Sequence, residues 1–194
     1  MNTDIFQLKK RIEIYLKTRE CNETYFHCIE VGDYAYELGK AYLINPKKAQ
    51  IAGFLHDISA IYPNNFRVRV AQDHNINLVP EEIEFPMIIH QKLSKLIAQE
   101  GFGISDPEIL SAIECHTTLK PNYSTLDLVL FVADKIKWDQ KGKPPYLNGL
   151  LRALDSSLED AAYYYIDYIL NNDIKVIHPW LIAAYKELKV VCNK

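Results

Sequence analysis

Ile51-Ala-Gly-Phe-Leu-His56-Asp57 is a short apolar run that closes on an adjacent histidine and aspartate. Just upstream, Asn45-Pro46 reads as a helix start, with Asn45 as N-cap and Pro46 in the first helical position, where no N–H partner exists anyway. The helix they open puts Ala49, Ala52 and Leu55 on one face, opposite Lys47, Lys48 and Gln50, and His56 continues the apolar face. Small residues at 49, 52 and 53 let a second helix approach closely. Asp57 falls about 100° further round at the helix end. Between Leu55 and Ile58 its carboxylate is expected to be buried, and a buried carboxylate needs a partner.

Neighbouring segments supply partners of the right kind. A helix over about residues 23–43 carries the stripe Val31, Tyr34, Ala35, Leu38, Ala41 and Tyr42, and four residues before Val31 stands His27. A helix from Pro86 to about Glu100, stopped by Gly101-Phe-Gly103, sets His90 beside Leu93 and Ile97. Ser105-Asp-Pro-Glu108 opens another, whose stripe Ile109, Ala112 and Ile113 runs on to His116. Ser124-Thr-Leu-Asp127 has the form of a capping box. The helix it opens, Leu126 to about Ile136, is apolar nearly all round, so it is expected at the centre, with Asp134 inside the run.

The remaining segments carry less chemistry. Residues 4–17 form a covering helix, Phe66 to Asp73 a short one, and Pro80-Glu81-Glu82 a helix start. After Gly142-Lys-Pro-Pro145 two helices follow, with stripes Leu158, Ala161, Ala162, Tyr165, Ile169 and Leu181, Ala184, Tyr185, Leu188. His74 reads as a solvated surface residue, and His178, before Pro179, as a loop or cap residue. The fold class is all-α, in one domain over 1–194 with a core at about 20–170 and C-terminal covering helices.

Bulk properties narrow the partners. A net charge of −3 argues against a nucleic-acid binder. No apolar run reaches transmembrane length, and Met1-Asn-Thr-Asp-Ile-Phe6 is not a signal peptide, so no membrane partner and a cytoplasmic location are expected. Cys21, Cys28, Cys115 and Cys192 show no metal or disulfide spacing, and Cys28 and Cys115 read as small core residues.

Any one core histidine is ordinarily a residue bonded to a backbone carbonyl. Four of them on four helices, with two carboxylates expected to be buried, are explained together by one polar cluster around a cation. The set exceeds what one four-coordinate ion needs and suits two ions about 3.5–4 Å apart. Imidazole with carboxylate suits iron, manganese, zinc or cobalt rather than calcium. Open positions on such ions hold water for hydrolysing phosphate esters or anhydrides.

The order His27, His56-Asp57, His90, His116, Asp134 resembles the HD-domain metal-dependent phosphohydrolases, and within them the YqeK-type branch of symmetrical diadenosine tetraphosphate hydrolases with a di-iron centre. The matching stretches are Phe26-His-Cys-Ile-Glu-Val31, Ala52-Gly-Phe-Leu-His-Asp57, the His90 helix, Ala112-Ile-Glu-Cys-His-Thr-Thr118 and Phe131-Val-Ala-Asp-Lys-Ile136. The resemblance implies an HD-domain helical bundle with a central di-metal site. It implies that His27, His56 and Asp134 hold one ion, that His90 and His116 hold the second, and that Asp57 bridges them, with His56 and Asp57 at the catalytic centre. Iron is the implied metal, and the implied reaction converts diadenosine tetraphosphate to two ADP with metal-activated water.

The chain departs from the branch at Glu23-Thr-Tyr-Phe-His27, at Gln91-Lys92-Leu93 and at Lys135-Ile-Lys-Trp-Asp-Gln140, all three expected to face substrate. Lys92, Lys135, Lys137 and Arg152 are candidates for phosphate contacts, and Trp138 and Tyr146 for stacking on a base. Alternatives remain another nucleotide or phosphoester as substrate, or a non-catalytic nucleotide-binding HD module. A homodimer is compatible with the sequence.

Overall fold

The computed structural model describes residues 4–138, 142–172 and 174–193; Asp139 and Gln140 of the third departing stretch lie outside the described residues. Regular structure among them is helical throughout: α1 (Ile5–Lys17), α2 (Asn22–Ala41), α3 (Pro46–Leu55), α4 (Asn64–Asp73), α5 (Pro80–Glu84), α6 (His90–Glu100), α7 (Pro107–Cys115), α8 (Thr125–Ile136), α9 (Leu147–Leu154), α10 (Leu158–Leu170) and α11 (Pro179–Val191). Short 3-10 turns at Ile58–Ile61 and Pro86–Ile89 join α3 to α4 and α5 to α6.

Local chemistry sets the helix starts. The side chains of Asn45 and Asp106 accept from the first N–H groups of α3 and α7, each ahead of a proline. The capping box of α8 is complete: Ser124 Oγ accepts from the Asp127 N–H at 3.1 Å, and Asp127 Oδ2 accepts from the Ser124 N–H at 2.8 Å.

The central helix is α8, whose residues from Leu126 to Ala133 are all buried. It packs against α2, α3, α7 and α10, while α6 closes on α7 and α1 covers α2. The α2–α3 crossing is tight because Gly32 faces Gly53 there. A Cβ built on Gly53 would lie 2.5 Å from the Gly32 Cα, and one on Gly32 would lie 2.1 Å from the Phe54 ring. No helix of the described residues is long and apolar enough to cross a membrane.

Three expectations need correcting. The chain after Pro145 forms three helices rather than two, because Leu147–Leu154 is a short amphipathic helix of its own, anchored by buried Leu150. His90 begins α6, the preceding turn being 3-10 rather than α-helical. Asp57 and Asp134 are not fully buried: their side chains are 23% and 14% exposed, because both open onto a cavity.

Candidate metal centre

Four helix ends deliver the cluster. His27 lies on the first turns of α2, His56 caps the C-terminus of α3, His90 opens α6 and His116 caps α7. Asp57 follows His56 as α3 gives way to the 3-10 turn, and Asp134 projects from the last turn of α8. His27 Nε2 lies 3.2 Å from Asp134 Oδ1 and 3.2 Å from His56 Nε2, and His56 Nε2 lies 3.3 Å from Asp134 Oδ1. His90 Nε2 and His116 Nε2 are 2.9 Å apart, and they lie 3.3 and 3.4 Å from Asp57 Oδ1. The second Asp57 oxygen, Oδ2, turns the other way, 3.6 Å from His56 Nε2. The six side chains predicted from the sequence therefore meet in one place, with Asp57 lying between two groups of imidazoles.

Hydrogen bonding decides which imidazole nitrogens face inward as acceptors. His56 Nδ1 donates to the Gly53 carbonyl (2.7 Å), His90 Nδ1 to the Met87 carbonyl (2.5 Å) and His116 Nδ1 to the Ile113 carbonyl (2.8 Å). Each bond spans three residues, and each directs Nε2, the nitrogen that carries the lone pair whenever the ring is neutral, into the cluster. Three Nε2 atoms thus converge on two carboxylates, and Asp57 Oδ1 is buried with no hydrogen-bond donor. Such a set of acceptors needs positive charge among them. His27, His56 and Asp134 form one group able to hold a metal ion, and His56, Asp57 and His116 another. The residues fit divalent transition metals, and the carbonyl bonds behind three of the imidazoles are the orienting contacts that metal-ligating histidines use.

Titration follows the same logic. Burial would raise the Asp57 and Asp134 carboxyls, but the histidines around Asp57, and Lys135 with His27 and His56 around Asp134, hold both well below the usual range. Burial would lower His56, yet Asp57 and Asp134 push it well above the ordinary histidine value, so without a metal a proton supplies charge there. Burial, with the neighbouring His90 and His56, brings His116 down to about 4, which keeps its ring neutral and ready to ligate at pH 7.

A cavity of about 290 Å³ opens over the cluster. Lys135, Lys137, Trp138 and Tyr146 line it; Lys92 and Arg152 do not. Lys135 is tied back to Asp134 Oδ2 at 2.5 Å, so its charge is partly spent on that carboxylate. Lys92 is buried, its ammonium bonded to Glu82 Oε2 (2.7 Å) and the Asn77 carbonyl (2.8 Å), and Arg152 is an exposed residue of α9. The expectation that Gln91-Lys92-Leu93 faces substrate is corrected likewise, since all three are buried. Tyr146 is 5% exposed, and its hydroxyl donates to the Lys135 carbonyl, so it packs the wall of the cavity rather than offering a face for stacking.

Sequence reading missed three supports of the site. Buried Gln91 accepts through Oε1 from the N–H groups of Thr117 (3.1 Å) and Thr118 (3.4 Å), fastening the turn after His116 to α6. Arg67 donates to the same Met87 carbonyl that orients His90. The Thr117 hydroxyl reaches His90 Nε2 at 3.0 Å. All three link elements distant in sequence, so no local spacing could have marked them.

The model of the HD domain family matches residues 24–139, which contain all six clustered side chains. The chain belongs to the HD domain family, and its relatives define its class as that of HD hydrolases. It is 55% identical over 146 residues to a Lactococcus lactis subsp. cremoris protein known as "Uncharacterized protein in pepC 5′region", covering 75% of each chain. It is 28% identical over 172 residues to the symmetrical bis(5′-nucleosyl)-tetraphosphatase of Halalkalibacterium halodurans, covering 84% of this chain and 88% of the relative. Among solved structures it resembles a "predicted HD superfamily hydrolase involved in NAD metabolism" from Clostridium acetobutylicum, with a TM-score of 0.85, 28% identity, and 95% and 97% of the two chains covered. Its resemblance to the YqeK-type branch thus extends beyond the motif residues to the whole fold.

Proposed function

We propose that this protein is a two-metal phosphohydrolase that cleaves diadenosine tetraphosphate symmetrically into two ADP. One observation carries the reading: the Asp57 carboxylate lies between His56 on one side and His90 with His116 on the other, with a different oxygen toward each. His27, His56 and Asp134 would hold one ion, His90 and His116 the other, with Asp57 shared; iron is the metal the resemblance favours. Two such ions, when bound, acidify coordinated water and neutralise phosphoryl oxygens.

The chain's own residues then have defined tasks. Gly53, Met87 and Ile113 carbonyls hold three ring tautomers so that Nε2 faces inward. Lys135 fixes Asp134 and balances its charge. Lys137, at the end of α8 and lining the cavity, would meet the polyphosphate. The tetraphosphatase name of the 28% identical relative supports this substrate class. Four free thiols fit a reducing, cytoplasmic setting.

The test is a substrate panel with iron or manganese, comprising diadenosine polyphosphates, nucleoside di- and triphosphates and monophosphates. ADP as the sole product from diadenosine tetraphosphate is expected. ATP plus AMP would refute symmetrical cleavage, and a preference for another nucleotide would move the substrate assignment.

A further inference from the structure

The cavity over the cluster is lined by both charged and apolar side chains. Beneath it lie the histidines and aspartates, with Lys135 and Lys137 beside them. The cavity is also lined by Ile169, Ile174, Val176 and Leu181, with Lys175 among them, from the end of α10, the segment leading into α11, and α11 itself. These residues lie outside the span matched by the family model. Ile174 and Val176 are half-buried, Lys175 between them is exposed but also lines the cavity, and Ile177, 49% exposed, is the one residue from 174 to 178 that does not line it.

This segment is held by a buried polar cluster that the proposed hydrolysis does not use. His178, 1% exposed, takes the Trp180 N–H on Nδ1 at 3.1 Å as the N-cap of α11. Its proton therefore sits on Nε2, which donates to Glu82 Oε1 at 3.4 Å. Glu82 is fully buried, and its other oxygen accepts from Lys92 Nζ (2.7 Å) and the Val79 N–H (3.0 Å). Lys92 in turn belongs to α6, the helix that His90 opens. A buried ion pair adds little net stability over apolar packing, but it admits one arrangement of its partners. The Glu82 carboxylate thus couples the entry to α11 with the element that carries His90.

We propose that the segment from Ile174 to His178 is the nucleobase-side wall of the site, and that His178 acts as a positioning residue, pinning this wall over the metal cluster through Glu82 and Lys92. The proposal rests on the nucleotide reading above: a ligand with an anionic end and a flat apolar end matches a cavity lined by the charged cluster and also by the aliphatic side chains of Ile169, Ile174, Val176 and Leu181. The wall then discriminates nucleotides from bare polyphosphate, and the cluster sets how closely it approaches.

The test is calorimetric binding of ADP and of inorganic pyrophosphate to the manganese-loaded full chain, which requires no turnover. Wild type is expected to bind ADP more tightly than pyrophosphate. The I174A/V176A double variant is expected to lose about tenfold in ADP affinity and keep its pyrophosphate affinity. His178→Asn, which retains a helix-capping oxygen but not the reach to Glu82, is expected to show the same selective loss, smaller in size. Equal losses for both ligands, or none for either, would overturn the proposal. Absence of diadenosine tetraphosphate hydrolysis with the ADP preference and its selective loss intact would count against the hydrolase reading alone.

Discussion

The Asp57 carboxylate has one oxygen turned toward His90 and His116 and the other toward His56, and its Oδ1 is buried without a donor. On the proposed two-metal reading, that geometry makes Asp57 the residue on which both ions would depend. Asp57→Ala is expected to reduce the metal content from about two per chain to one or none. Its circular dichroism should stay helical, and elemental analysis of the purified variant is the check. Gln91→Ala belongs to the same scale: it strands the Thr117 and Thr118 N–H groups and should cost about 1–3 kcal/mol in urea unfolding, with weaker metal binding as His116 loosens. The cluster itself was legible in the sequence because each histidine falls at the end of an apolar stripe, and Asp134 interrupts one. Lys92 was misread because its carboxylate partner, Glu82, lies on another helix, beyond any local pairing rule.

At the scale of elements, the close crossing of α2 and α3 brings His27 to His56. Gly53→Ala would press a Cβ into the Gly32 backbone and force the helices apart. A loss of about 1–3 kcal/mol is expected, together with weaker metal binding measured by titration, since the 3.2 Å approach of the two imidazoles rests on that crossing. Ser124→Ala removes the cap of α8 and should cost about 1 kcal/mol in urea unfolding while leaving metal content unchanged, because Asp134 sits at the opposite end of the helix. Helices with strong start signals, such as α3, α7 and α8, could be read directly. The eight-residue α9 could not: it follows the Gly142–Pro145 turn without a side-chain cap of its own, and its burial depends on packing against α10.

Across the whole molecule, the Glu82–Lys92–His178 cluster joins the C-terminal helix to α6, the helix that His90 opens. Burial would raise the Glu82 carboxyl, but His178 and Lys92 hold it below the usual glutamate value. A depressed folded-state pKa contributes stability above the unfolded value of about 4.3, and that stability is lost as pH falls through the folded value. Wild type should therefore lose this contribution as pH falls below about 4.3, and Glu82→Gln should flatten that part of a denaturation–pH profile while lowering stability at pH 7. None of this long-range wiring was visible in residues 174–181, where His178 read only as a cap. The central claim is that two ions act together on one substrate. The direct measurement is stepwise addition of manganese to metal-free protein while ADP release from diadenosine tetraphosphate is followed. Turnover should rise with the second equivalent of metal, with ADP as the sole product; full turnover at one equivalent, or turnover in the presence of a chelator, would contradict it.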